Sequence, residues 1–497
     1  MLIRTIFTLL AVLSLTINSS LATAKPSFNL DALQTSEHRS SPEDYQVEFF
    51  PVAPHYVGDV LSIRITYRGS QAIGDEKINL TWSNGTESGK ERTTFSPHSR
   101  TAVFYWTLDT SAFTPGVINF LFEVPALQDN WVNNLNLLPQ LSGLANTWAK
   151  VESGCCTIHY LTQTDAEETL SEIQEILENN TAVAVSQFFP EGLPDVDPLD
   201  EPLSFVLIPI VIGHGGFAAD EAVLTFSERN WAGTNFDIVS HHEIVHVLDR
   251  RLNQGPRPSL LSEGLAVYLS GGHYHKGDAI QRAAALVELD MYLPILEITN
   301  DFYSAQHEIS YMEAAGLVAY LVERWGWAAF IDFYFNLQEG SSHTNIISAG
   351  LEESFSTDLT ELETDFVAYL RTIDPDEAVK QDVRLTVAVY DTLRRYQALA
   401  IPSAHIQSVW WPPVDTMREK GIVGDYARRE KSPVNVIFES KLIEIHAGLD
   451  ARNYAKVEEN LAVINQMLDA IQSSGGTISH YQIGWPIPEL PAQSIRP

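Results

Sequence analysis

The chain has 497 residues, 45% hydrophobic and 19% charged, with 64 acidic against 31 basic side chains and a formal net charge of −33. That length and apolar content exclude a disordered chain and supply material for roughly two to four packed domains. The negative charge repels polyanions, which excludes nucleic acid and anionic membrane surfaces as partners.

Residues 1–24 read as a secretory signal peptide. Arg4 supplies the positive start, Ile6 to Leu15 the apolar core and Ala22-Thr23-Ala24 the cleavage site. This core is short for a membrane span, and no later apolar run reaches the length of about 18 residues that spanning needs. The expectation is a secreted or extracytoplasmic protein without a stable membrane span. Residues 25–43 read as a polar linker.

Residues 44–127 read as a β-sandwich of immunoglobulin-like kind. Leu61-Ser62-Ile63-Arg64-Ile65 alternates with period two, and turn signals such as Asn84-Gly85 and Thr114-Pro115-Gly116 separate the runs. Residues 128–149 read as a connector without firm period. Cys155 and Cys156 are the only cysteines. Adjacent residues are closer than disulfide geometry prefers, so free or buried thiols are expected ahead of vicinal or intermolecular bonding.

Beyond the cysteines, Thr157–Leu161, Phe205–Ile210 and Ala222–Phe226 read as strands, the last as an edge open to an extended peptide. Asp165–Asn179 reads as a helix. A second helix is expected from an N-cap near Asp237 to Leu252, and a third from Ser259 to Leu269, stopped by Gly271-Gly272. Helical patterns continue at 311–324, 327–337 and 359–370. The 375–497 region reads as helical (376–399, 436–447 and 454–471) with a loose tail.

The helix expected at 237–252 contains His242-Glu243-Ile244-Val245-His246. Residues four apart share one helix face, so both imidazoles can hold one metal ion, with Glu243 beside them as general base. A hydrolytic zinc site uses three protein ligands and one open position. Glu263, seventeen positions after His246 and across a Gly/Pro turn, supplies the third. Of the neighbours, His241 points elsewhere and reads as structural. Asp249 is either a surface acid or a group orienting a ligand.

With these residues in view, the chain resembles the gluzincin metallopeptidases, in particular the peptidase MA-like group. The resemblance rests on His242–His246, on Leu261-Ser262-Glu263-Gly264-Leu265-Ala266, and on the helix beginning Tyr311-Met312-Glu313-Ala314-Ala315-Gly316. Val267 stands where some gluzincins carry a carboxylate that supports a histidine. The resemblance implies a thermolysin-like α+β zinc peptidase domain over 150–374 of a multidomain α+β chain. It implies one Zn2+ per chain on His242, His246 and Glu263, a peptide or protein substrate, and catalysis by Glu243. It also implies that Tyr311 donates to the forming oxyanion, with His273 or His275 as substitutes. The expected function is an exported zinc metallopeptidase. The alternatives are a non-catalytic zinc-containing binding or assembly protein of the cell envelope, or a zinc hydrolase acting on another bond.

Overall fold

The computed structural model describes residues 44–50, 55–96, 100–140, 147–190, 199–208, 215–218, 220–226, 235–273, 275–303, 306–400 and 433–473. The signal-peptide and linker readings, and the tail beyond 473, lie outside these residues. The fold mixes α and β: three sheets and thirteen α-helices among the described residues. The chain divides into two compact units, with the boundary between Gln140 and Leu141.

The first unit holds strands β1 (Tyr45–Phe50), β2 (His55–Tyr56), β3 (Val60–Tyr67), β4 (Lys77–Ser83), β5 (Ser88–Thr94), β6 (Thr101–Asp109), β7 (Gly116–Val124) and β8 (Asp129–Leu138). They form a three-stranded sheet, β1-β3-β6, and a five-stranded sheet, β2-β8-β7-β4-β5. Alternation explains the packing. Leu61, Ile63 and Ile65 of β3 share one core with Ile118, Phe120 and Phe122 of β7. Asn84-Gly85 makes the β4–β5 turn. Asn84 Oδ1 accepts from the amides of Thr86 and Glu87, and Gly85 takes φ 90°.

One boundary moves. Residues 129–138, expected as part of the connector, form β8 and pair with all of β7. Trp131, Leu135 and Leu137 alternate into the core, but asparagines and an exposed Val132 on the other face hide the period.

The second unit opens on a five-stranded sheet, β12-β13-β11-β10-β9, built from β9 (Trp148–Glu152), β10 (Cys156–Leu161), β11 (Leu203–Ile208), β12 (Gly216–Ala218) and β13 (Ala222–Thr225). The strand expected as an edge, β13, is internal: it pairs parallel with β11 on one side and antiparallel with β12 on the other. Among the described residues the edge on that side is β12, too short to carry a periodic signal. The cysteines also depart from expectation, since Cys155 and Cys156 are joined as a vicinal disulfide. The bond lies at the β9–β10 turn, with Cys156 in the core.

Thirteen helices complete this unit: α1 (Asp165–Glu168), α2 (Leu170–Phe188), α3 (Phe236–Leu252), α4 (Ser259–Ser270), α5 (Ala279–Glu288), α6 (Ile295–Asn300), α7 (His307–Trp325), α8 (Trp327–Phe335), α9 (His343–Phe355), α10 (Leu359–Leu370), α11 (Glu377–Ala400), α12 (Pro433–Asp450) and α13 (Tyr454–Ser473). Helices α4 and α7 pack closely because Gly264 has no side chain. A Cβ there would meet the Ala314 carbonyl oxygen at 2.5 Å and Val318 Cγ2 at 2.9 Å. Trp327, Phe330, Phe333 and Tyr334 pack with Trp325 around the main core.

Helix α11 does not start a separate body at 375. Its Val383 and Val387 bury against Ala285, Leu286, Ile309 and Met312 of α5 and α7. Its other side joins α12 and α13 around Tyr396, Phe438 and Ile464. Among the described residues, no helix is long and apolar enough to cross a membrane.

Candidate metal centre

The cap of helix α3 lies two residues before the expected one. Asn235 caps it, its side-chain oxygen accepting from the Asp237 amide at 2.9 Å, and Asp237 lies in the first turn. Asn253 and the Gly255-Pro256 turn end it and return the chain into α4, which Gly271 closes in the left-handed region at φ 78°.

This turn brings three donor atoms together. His242 Nε2 lies 3.1 Å from His246 Nε2 and 3.3 Å from Glu263 Oε2, and His246 Nε2 lies 3.1 Å from the same oxygen. Bonds of about 2.0–2.2 Å at tetrahedral angles would separate ligand atoms by about 3.3–3.5 Å. The donor chemistry and the triangle therefore fit one zinc ion with little movement. Burial pulls the His242 pKa down to about 4, which leaves a neutral imidazole ready to ligate. Burial also opposes charge on His246, but Glu263 and the carboxyls of Glu243 and Asp249 outweigh it and raise that imidazole to about 9. Glu263 stays ionised well below the usual range despite burial, because His246 and His242 face it. The cluster thus gathers positive charge against a carboxylate at the point where a cation would sit.

Glu243 is 4% exposed, and burial raises its carboxyl to about 8. Its Oε2 has no hydrogen-bond partner among the described residues. The edge strand passes beside it: a Cβ on Gly216 would meet Glu243 Cγ and Oε1, each at 3.1 Å.

The surrounding residues separate into those near the triangle and those turned away. His241 faces Gln187, Nε2 to Oε1 at 2.9 Å. Asp249 is buried and accepts from the Tyr334 hydroxyl at 2.9 Å. Tyr311 is 6% exposed, its ring stacked on His273 at 3.9 Å and 6.1 Å from the ring of His242. Burial, then the charge of Glu263, keeps its phenol protonated far above neutrality. His273 Nδ1 pairs with buried Glu308 at 2.9 Å, and its ring lies 5.5 Å from that of His242.

His275, expected as a substitute donor, is not at the triangle. It turns toward α11, where Nε2 lies 3.1 Å from Thr386 Oγ1, 3.1 Å from Asp382 Oδ1 and 2.6 Å from Arg282 Nη2. The carboxylate of Asp382 answers the buried Arg282 guanidinium and lies within hydrogen-bond reach of the same imidazole nitrogen. Buried ionic groups bind that loop end to the helix, away from the triangle of His242, His246 and Glu263.

Two contacts at the site have no signal in the sequence. The Tyr303 hydroxyl donates to Glu263 Oε1 at 2.6 Å, from a turn forty positions downstream. Glu308 adjoins His307 at the start of α7. With His273 these two form a second cluster of ligand-type atoms, all within 4.8 Å of one another. Within it, His273 and Glu308 already pair with each other.

No protein-family model matches the chain, and no curated protein matches it.

Proposed function

We propose that the chain is an exported zinc metallopeptidase of gluzincin type. The observation that carries this reading is the convergence of His242 Nε2, His246 Nε2 and Glu263 Oε2 within 3.3 Å of one another, with Glu243 buried beside them. In this reading the first unit is an immunoglobulin-like sandwich and the second contains a thermolysin-like catalytic domain.

Zinc held by His242, His246 and Glu263 supplies a Lewis acid that polarises a carbonyl and acidifies water. The chain does the rest. Glu243, buried beside the triangle, would take a proton from the attacking water and return it to the leaving amine. Tyr311, protonated at neutral pH, and His273, held through Nδ1 by Glu308, are the donors for the developing oxyanion. Strand β12 runs beside Glu243 and is an edge of its sheet among the described residues, where an extended peptide could add as a further strand.

The rival is a non-catalytic zinc protein. It is favoured by one observation: His242 Nδ1 is buried without a hydrogen-bond partner among the described residues, so the outer hydrogen bond that tunes a catalytic metal ligand is not seen there. Against it stands Glu243, a buried acid that a purely structural site does not need. The test is a peptide library presented to zinc-loaded protein. Cleavage by wild type, reduced about 10²–10⁴-fold in Glu243→Gln with zinc content unchanged, supports the peptidase. Inertness of both forms with zinc bound supports the rival.

A further inference from the structure

We infer that Tyr303 is a positioning residue that restricts Glu263 to one oxygen toward the metal; the inference rests on the zinc reading above. The two oxygens of Glu263 are used differently. Oε2 faces both histidines, at 3.3 Å from His242 Nε2 and 3.1 Å from His246 Nε2. Oε1 accepts from the Tyr303 hydroxyl at 2.6 Å, a short bond of the charge-assisted kind. Ser259, the first residue of α4, hydrogen-bonds the same hydroxyl.

The tyrosine is held for this task from below. Its neighbour Phe302 is 3% exposed and packs edge-on against Tyr311 at 5.1 Å, while the Tyr303 residue itself is 59% exposed. A largely exposed residue gains little from burial, so the contacts that fix its hydroxyl are those to Glu263 and Ser259. The consequence is chemical. A catalytic zinc site needs three protein donors and an open position. A carboxylate free to turn both oxygens inward would act as a further donor and close that position. Tyr303 engages the second oxygen and keeps the position open.

The experiment loads metal-free full-length protein with Co2+ and compares wild type with Tyr303→Phe. Four-coordinate Co2+ absorbs visible light far more strongly than five- or six-coordinate Co2+. Expected are an intense visible band in wild type and a several-fold weaker one in Tyr303→Phe, at equal stoichiometry of one. The melting temperature of the metal-free variant should match wild type, since the phenyl ring is retained. Ser259→Ala, which leaves the tyrosine in place, should give a smaller change in the same direction. Identical bands in wild type and Tyr303→Phe overturn the inference and leave the zinc reading standing. Failure of wild type itself to bind Co2+ or Zn2+ overturns both.

Discussion

Gly216 on strand β12 lies against Glu243 on helix α3, so close that a Cβ on the glycine would meet the carboxyl Oε1 at 3.1 Å and the backbone oxygen of Val223 at 2.9 Å. The sheet edge and the proposed base are therefore one assembly. Gly216→Ala pushes on Glu243 from one side and on the β13 backbone from the other. The backbone gives less, so the carboxyl moves. A displacement of about 1 Å at a catalytic group costs about 100-fold in rate. Peptide cleavage by Gly216→Ala should fall by that order, with zinc content equal to wild type. Undiminished cleavage would show that Glu243 does not depend on this contact.

Metal binding should be visible in stability. A cation that binds only the folded chain stabilises it by mass action, about 2.7 kcal/mol at a hundred times its Kd. Adding Zn2+ to metal-free wild type should raise its melting temperature, and a chelator should reverse the rise. His246→Ala removes one of three donors and should abolish the shift. An equal shift in His246→Ala would place the binding elsewhere.

The buried group Arg282, His275, Thr386 and Asp382 gives a pH prediction away from the proposed metal ligands. Burial pushes the Asp382 carboxyl up, but His275 and Arg282 outweigh it and hold it below the usual range. A depressed carboxylate stabilises the fold above its unfolded pKa of about 3.9 and loses that contribution as pH falls through the folded value beneath it. Asp382→Asn leaves Arg282 buried without its counter-ion, at a cost of about 3 kcal/mol. Urea midpoints of wild type and variant should therefore differ by a constant amount from pH 7 to about pH 4 and converge below. A gap that widens on acidification would contradict the assignment.

The parts of the site legible in sequence are those with a fixed spacing. His242 and His246 stand four apart on a helix, and Glu263 follows a Gly/Pro turn that can fold the next helix back. Strands such as β3 were legible because Leu61, Ile63 and Ile65 alternate with polar residues. The illegible parts depend on distance along the chain or on shortness. Tyr303 reaches Glu263 from an irregular turn, where no periodicity marks a side chain's direction. Strand β12 has three residues, below any repeat. His273 and His275 stand two apart in one loop, yet one joins the site and the other joins α11, because Arg282 and Asp382 claim the second. The vicinal disulfide escaped because local geometry argues against it in general and says nothing about a particular turn.

Helix α11 has a practical meaning for anyone dissecting this chain. Cutting at 374, where the helical pattern changes, would strip the cover from Leu286, Ile309 and Met312 and release Arg282 as a lone buried cation. It would also free the ring of His307 from Tyr390, on which it stacks at 4.6 Å. The smallest fragment expected to keep a working donor loop therefore ends after α11. Since Tyr396 and Leu393 bury against α12 and α13, a soluble one ends after Ser473.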